Sequence, residues 1–324
     1  MASDFSPNLG MDLVRVTEAA ALAAGRYMGL DRSDEADYYA ALAMAKALED
    51  VNIEGHVVIG EETKLGTHSP LDSSMTVGSG NGPAMDVVVD PVDGARLLAL
   101  GHSDAISVVG IAPKGSMWAP YPAAYMEKIV VDQTAADVLV EECMDAPAAW
   151  TLALVARAKK KQIRDLVVFI LSRTRHHDLI EEIRTAGARV IVRSHGDIAG
   201  AIMAGTENVN VDVMLGVGGV SEGVISACAI KCLGGAMLGR LAPQNEEEHA
   251  AVIEAGLDTK QILTCDQLVN GRDIFFVATG ITNGRLLAGI QYHGNWAETE
   301  SLVLRCETGT RRLIHAEHRL DEDQ

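Results

Sequence analysis

The sequence predicts an α/β protein, with a mixed sheet in its N-terminal half and a mainly parallel sheet in its C-terminal half. Three observations predict it. From residue 166 onward, short β-branched runs alternate with helix-length segments, the order that gives parallel strands joined by right-handed crossovers. Hydrophobic residues make up 48% of the 324 and charged residues 22%, enough to bury a large core. Two early apolar runs, Val57–Ile59 and Val87–Val89, each lead into carboxylates, Glu61 with Glu62 and Asp90 with Asp93.

The elements follow in order. Met11 to Gly29 carries Leu13, Val16 and Ala20 at helical spacing. Ala36 to Asp50 is a second helix, rich in Ala and Leu and free of Gly and Pro, with Asp34 or Asp37 as a candidate cap. Val57–Ile59 and Val87–Val89 are strands, separated by a polar, Gly-rich loop from Thr63 to Pro83. Ala105–Ile111 and Ile129–Val131 add strands. In the second half, Leu166–Leu171, Arg189–Val192 and Val211–Leu215 are strands. The helices His176–Ala186, Asp197–Ala204 and Glu222–Leu233 lie between and after them. Ile274–Val277, Leu286–Ile290 and Ser301–Arg305 continue the sheet content. No repeat or flexible linker interrupts the chain. Two packed halves, 1–160 and 161–324, sharing one cleft are expected.

Composition excludes several functions. The formal net charge is −18, which opposes contact with nucleic-acid backbones. Aromatic residues are only 4%, too few for a base-stacking platform. The five cysteines contain no CxxC pair, so neither a zinc ribbon nor a disulfide framework is expected. The N-terminus lacks a basic segment followed by an apolar one, and no run of 18 apolar residues occurs. A cytoplasmic protein with no membrane or nucleic-acid partner is the expectation.

The residues that carry chemistry are mostly acids. Asp90 and Asp93 flank a turn at Pro91, so both carboxylates can face one point. Glu61 and Asp37 are candidates to complete a pair of divalent-cation positions, since hard cations prefer oxygen ligands. Glu222 starts a helix just after Gly216-Val217-Gly218-Gly219, a run suited to phosphate because its N–H groups and the helix N-terminus favour anions. Taken one by one, each acid is better explained as a cap or a solvated charge; five of them together at strand ends and helix starts favour a site. By itself the glycine run is a weak signal, and a tight turn is its plainer reading. Arg173, Arg175 and His176 form a basic cluster at a strand end, where a guanidinium can fork onto phosphate oxygens. Tyr125 and Lys128 lie before a strand, within reach of a sugar phosphate. No HExxH or GxSxG is present.

With these residues in hand, the chain resembles class II fructose-1,6-bisphosphatase, of the lithium-sensitive, metal-dependent sugar and inositol phosphatases. The likeness runs through Leu13–Ala20, Val57–Glu61, Asp90-Pro91-Val92-Asp93-Gly94, Tyr125–Lys128, Arg175-His176, Gly187–Val190, Gly196-Asp197, Gly218-Gly219 with Glu222–Val224, and Ala278–Thr282. It implies a layered αβαβα fold and a homo-oligomer, dimer or tetramer. It also implies hydrolysis of the 1-phosphate of fructose 1,6-bisphosphate with Mn2+ or Mg2+. One metal position would take Asp37 and Glu61; the other would take Asp90, Asp93 and Glu222. Glu61, Asp90 and Asp93, with position 95, would carry catalysis. The substrate would meet Gly94, Tyr125, Arg173, Thr174, Arg175, His195, Gly196, Asp197 and Gly219.

The chain departs from the family pattern at several of these places. Ala95 stands where the pattern has Thr, whose hydroxyl orients the attacking water. Losing such a group costs ~10²–10⁴-fold in rate, or about 3–5 kcal/mol of barrier. Glu62-Thr63 replaces a Gly-Glu, His195 replaces an acid, and Ser221 replaces a Pro. Tyr38 and Tyr39 replace small residues after Asp37 and are expected to be buried in the cleft, crowding the first metal position. Two competing expectations follow. A degenerate paralogue would bind sugar phosphate as a regulatory or structural subunit. A related phosphatase would act on sedoheptulose 1,7-bisphosphate or an inositol phosphate.

Overall fold

The computed structural model describes residues 8–60 and 69–320. The chain forms two compact units, one from the N-terminus to Met117 and again from Gly271 to the C-terminus, the other from Trp118 to Asn270. The division does not fall at residue 160, for a reason that lies in strand pairing. Residues 118–160 contain a strand that the second sheet needs, and residues after 271 contain strands that the first sheet needs.

The first unit holds α1 (Leu9–Gly25), α2 (Ser33–Leu48), β1 (Glu54–Ile59), β2 (Thr76–Val77), β3 (Ala84–Asp93), the short α3 (Ala95–Ala99) and β4 (Ile106–Pro113). A later segment of the chain adds β11 (Phe275–Gly280), β12 (Gln291–His293), β13 (Trp296–Arg305) and β14 (Thr310–Arg319). Their sheet runs β12-β13-β11-β4-β3-β1-β2, with β14 also paired to β13. It is mixed: β1 and β3 are parallel and the other pairs antiparallel.

Helix α1 forms because Leu9, Leu13, Val16, Ala20 and Ala24 recur every three or four residues and are all buried. That face lies on β11, β4, β13 and β3, while α2 packs beside it. Small residues set the spacing, since a Cβ on Gly10 would sit 3.2 Å from Val303 and one on Gly25 only 2.7 Å from the Tyr292 hydroxyl. Polar groups at the helix–sheet contact are matched. The Thr17, Thr279 and Ser301 hydroxyls form a buried chain with 2.7 Å links. An orphaned hydroxyl there would cost about 1–3 kcal/mol.

The second unit holds β5 (Tyr125–Val131), α4 (Ala148–Ala158), β6 (Val167–Leu171), α5 (His177–Thr185), β7 (Arg189–Arg193) and α6 (Asp197–Gly205). It continues with β8 (Val213–Gly219), α7 (Val220–Leu233), β9 (Ala236–Leu241), α8 (Glu246–Glu254), β10 (Leu263–Thr264) and α9 (Cys265–Leu268). The sheet order is β10-β9-β5-β8-β6-β7. Parallel pairing is confined to β6 with β7 and β6 with β8. The alternation from residue 166 does produce those crossovers. But β5, from upstream of the alternation, enters between β8 and β9 and is antiparallel to both. The sheet is therefore mixed rather than mainly parallel.

Helix α7 is apolar on most of its sides between Glu222 and Lys231 because it is covered by α6, α9, β5 and β9. Three further segments differ from the sequence reading. Gly216–Gly219 is the end of strand β8, not a loop. Leu286–Ile290 forms no strand, and Arg32, not Asp34 or Asp37, is the N-cap residue of α2. Among the described residues, no helix is long and apolar enough to cross a membrane.

Candidate active site

In the first unit the acids stand at the end of β3. Asp86, Asp90 and Asp93 are all buried. Asp86 is accounted for structurally, because its carboxylate accepts the Met117 N–H at 2.9 Å. Asp90 and Asp93 are placed by an irregularity. Asp90 lies opposite Val108 and Asp93 opposite Ile106, so three steps on β3 match two on β4. In a regular strand, residues three apart face opposite sides. The extra residue cancels that half-turn and puts both carboxylates on one face. Pro91 sits inside the bulge, where a missing N–H costs least.

Gly94 follows at φ +92°, a left-handed conformation that a side chain would strain. Ala95 then opens α3 with its methyl against the core of the unit. Asp37 is half-buried on α2, which packs on both β3 and α3. Glu61 lies outside the described residues. The expected burial of Tyr38 and Tyr39 is overturned: they are 44% and 47% exposed. Tyr39 stacks on Tyr27 at 5.6 Å and meets Tyr38 edge-on at 5.4 Å, so the rings satisfy one another at the surface. Burying ionised carboxylates costs several kcal/mol each unless an opposite charge compensates. An oxygen-donor pair on one face, at a strand end, fits a hard divalent cation.

The second unit gathers the basic, glycine and sugar-side candidates. Strands β5 and β8 pair so that Tyr125 faces Gly219, Met126 faces Gly218 and Lys128 faces Gly216. Lys128 is fully buried and donates to Oδ2 of Asp197, the first residue of α6. Gly218 makes room for this pair, since a Cβ there would lie 1.9 Å from the Asp197 carboxylate. Gly219 does the same for Glu222, whose carboxylate would meet a Cβ at 1.7 Å. The glycine run thus works by closeness of side chains to a bare strand rather than by a turn.

Burial pushes the Asp197 carboxyl above its usual range, Lys128 opposes that shift, and Glu222 adds to it. Among the described residues, Oδ1 of Asp197 is buried without a hydrogen-bond partner. Gly196, which precedes it at φ +88°, turns the chain into α6. His195 lies next to this turn and is half-buried. Ser221 Oγ donates to the Glu222 carboxylate at 2.8 Å.

The basic segment is held by backbone. Arg173 donates to the carbonyls of Ser172 and Ser194 at 2.9 and 2.6 Å. Arg175 donates to the Val217 carbonyl at 2.9 Å and lies over the Tyr125 ring at 5.1 Å. Burial lowers its pKa, with Tyr125 and Asp197 opposing and Arg173 assisting. Thr174 begins a 3₁₀ turn, Thr174–His176, that carries Arg175 and has Arg173 as its N-cap residue. His176 pins this turn. Its Nδ1 meets the Leu171 carbonyl at 2.7 Å and its Nε2 accepts the Val217 N–H at 2.8 Å. That arrangement requires the neutral ring, protonated on Nδ1.

On neighbouring elements of the second unit stand Tyr125, Arg173, Thr174, Arg175, Asp197, Gly219 and Glu222, all named separately by the sequence reading. That reading left unassigned the structural parts of Lys128, His176 and Gly218. The one available signal for Lys128 was a lone cation among Met126, Ile129 and Val130 in an apolar strand.

Comparison with known proteins finds relatives over nearly the whole chain. A family model described as bacterial fructose-1,6-bisphosphatase, glpX-encoded, matches residues 7–318. Fructose-1,6-bisphosphatase class 2 of Haemophilus influenzae is 36% identical over 327 residues, covering 97% of each chain. A D-fructose 1,6-bisphosphatase class 2/sedoheptulose 1,7-bisphosphatase of Synechococcus sp. (strain JA-2-3B'a(2-13)) is 33% identical over 340 residues, covering 98% of this chain and 97% of the relative. Matched by that model over nearly its whole length, the chain belongs to the glpX-encoded bacterial fructose-1,6-bisphosphatase family.

Proposed function

We propose that this chain is a phosphatase that removes the 1-phosphate of fructose 1,6-bisphosphate with Mn2+ or Mg2+, acting as a cytoplasmic homo-oligomer. The observation that carries the reading is Asp197. It is a buried carboxylate with one oxygen on Lys128 and the other without a partner among the described residues, as a hydroxyl-bearing ligand requires. Family membership and the names of the relatives supply the reaction.

Asp37 and Glu61 would hold one cation, and Asp90 and Asp93 the other; Glu222, which the resemblance adds to the second position, belongs to the second unit. Such cations stabilise the charge on attacking and leaving oxygens and acidify a water. The protein's own groups do the rest. Arg173 and Arg175 keep their charge in a fixed orientation because backbone carbonyls hold them, and a fixed guanidinium loses less entropy on meeting phosphate. Asp197 Oδ1 accepts a sugar hydroxyl. In the second unit, the backbone N–H of Gly219 and the side chains of Thr174 and His195 complete the substrate contacts. Ala95 offers a methyl where a hydroxyl would orient water, so turnover is slow rather than absent.

Phosphate release from fructose 1,6-bisphosphate with Mn2+, for this chain and Ala95→Thr, tests the reading. The expected result is measurable turnover that rises by up to ~10²–10⁴-fold in the variant. No turnover by either protein above a metal-free blank would overturn it, and the binding-subunit reading would then stand. A second substrate is favoured by one finding, because the Synechococcus relatives are named for both bisphosphates. The ratio of kcat/KM for fructose 1,6- and sedoheptulose 1,7-bisphosphate decides between them.

A further inference from the structure

The outer face of the β12–β13–β14 corner carries a mixed set of imidazoles and carboxylates far in sequence from the acids of β3. Glu298 on β13 lies directly opposite Glu317 on β14. Two like charges facing across an antiparallel pair destabilise it unless a cation sits between them. His315 is two residues along β14 from Glu317, hence on the same face. Ligand atoms of Glu298, His315 and Glu317 all lie within 4.8 Å of one another. On the other side, His293 of β12 brings its Nε2 to 3.6 Å from one Glu298 oxygen, while His315 Nε2 is 3.7 Å from the other.

We propose that this corner is a binding site for a borderline divalent cation of the Zn2+ type, held by His315, Glu298 and Glu317, with His293 in reach of the fourth position. The donor chemistry separates it from the carboxylate pair on β3. Two imidazole nitrogens with two carboxylates suit Zn2+ or Co2+, whereas oxygen donors alone suit Mg2+ and Mn2+. Tetrahedral zinc with N and O ligands at about 2.0–2.2 Å needs donors about 3.4 Å apart. Small rotations of exposed His315 and Glu317 about half-buried Glu298 would close the remaining distance. The ion would clamp three strands together and remove the repulsion between Glu298 and Glu317. Its effect is therefore on the stability of the corner, and it does not depend on phosphatase activity.

The test is Zn2+ titration of the full chain in excess Mg2+, beside the double variant His293→Ala/His315→Ala and the single variant Glu298→Gln. Co2+ absorption in the visible range reports nitrogen ligation directly. The expected result is one bound Zn2+ equivalent per chain lost in the double variant, with loss of its Co2+ spectrum. The Zn2+-dependent rise in Tm should vanish with it, while Tm without metal shows that the variant folds. Equal Zn2+ stoichiometry and equal Co2+ spectra in native and double-variant proteins would overturn the site. A stability difference that follows pH but not Zn2+ would overturn it too, since ion pairing of the imidazoles would then explain the cluster.

Discussion

His176 accepts the backbone N–H of Val217 at 2.8 Å, and so joins the turn that carries Arg175 and follows Arg173 to strand β8. The bond exists only while Nε2 is unprotonated. Burial lowers the His176 pKa from its ordinary 6.5, Arg175 and Arg173 add to that, and the Leu171 carbonyl and Asp197 partly oppose it. The folded protein therefore binds this proton less readily than the unfolded chain. The stability it contributes is complete above about pH 6.5 and is lost as pH falls through the folded value. Urea midpoints between pH 7.5 and 5 should decline more steeply for the native chain than for His176→Gln. Parallel curves would remove His176 from the account. At pH 7.5, His176→Ala orphans the Val217 N–H and should cost roughly 1–3 kcal/mol.

Gly218→Ala tests the close approach of Asp197 to β8. A Cβ would lie 1.9 Å from Oδ2 and 2.9 Å from Lys128 Nζ, in a buried place. One of the charged pair must move, and overpacking of this kind typically costs about 1–3 kcal/mol. We expect a higher KM for the sugar phosphate together with a lower urea midpoint. A variant with native KM and midpoint would show that the strand has room to spare.

Lys128→Met asks what the buried ion pair is worth. The ammonium is fully buried, and its removal leaves Asp197 uncompensated. Breaking such a pair from one side costs about 3–5 kcal/mol, unless the carboxyl takes up a proton. The loss should therefore be smaller at pH 5 than at pH 8, because protonation relieves the orphaned charge. A pH-independent loss would mean that packing, not charge, is what Lys128 contributes.

Asp90→Asn separates cation binding from folding. If Asp90 and Asp93 hold a divalent cation, saturating Mn2+ should raise the stability of the native chain by about 2.7 kcal/mol at one hundred times its dissociation constant. The variant should lose most of that gain, measured from its own metal-free Tm. An equal Mn2+ response in both proteins would place the cation elsewhere.

How far the sequence was legible depends on the range of the interaction. Local signals located α1, α2, β3 and the β6-to-β8 alternation, because periodicity and β-branching act within a few residues. Asp90 and Asp93 were legible as a pair for the same reason, although the bulge that aligns them was not. The sense of β5 was not legible, since its partners β8 and β9 lie more than eighty residues downstream. Nor was the state of Gly216–Gly219: glycines suggest a turn, yet here they are strand residues left bare for Asp197 and Glu222. Tyr38 and Tyr39 were misplaced because their contact with Tyr27 and their exposure are tertiary facts.

The placement of β11 has a consequence for biosynthesis. That strand lies between β4 and β13, in the interior of the first sheet, yet it is encoded after the whole of the second unit. While the ribosome translates residues 118–270, the β4 edge that β11 will cover has no partner from its own sheet. The second unit, being contiguous, meets no such delay. An open strand edge is a template for mispairing, and late, long-range closure slows folding. The nascent chain is thus most exposed to aggregation between the emergence of β4 and that of β11, and any truncation before Phe275 leaves that exposure permanent.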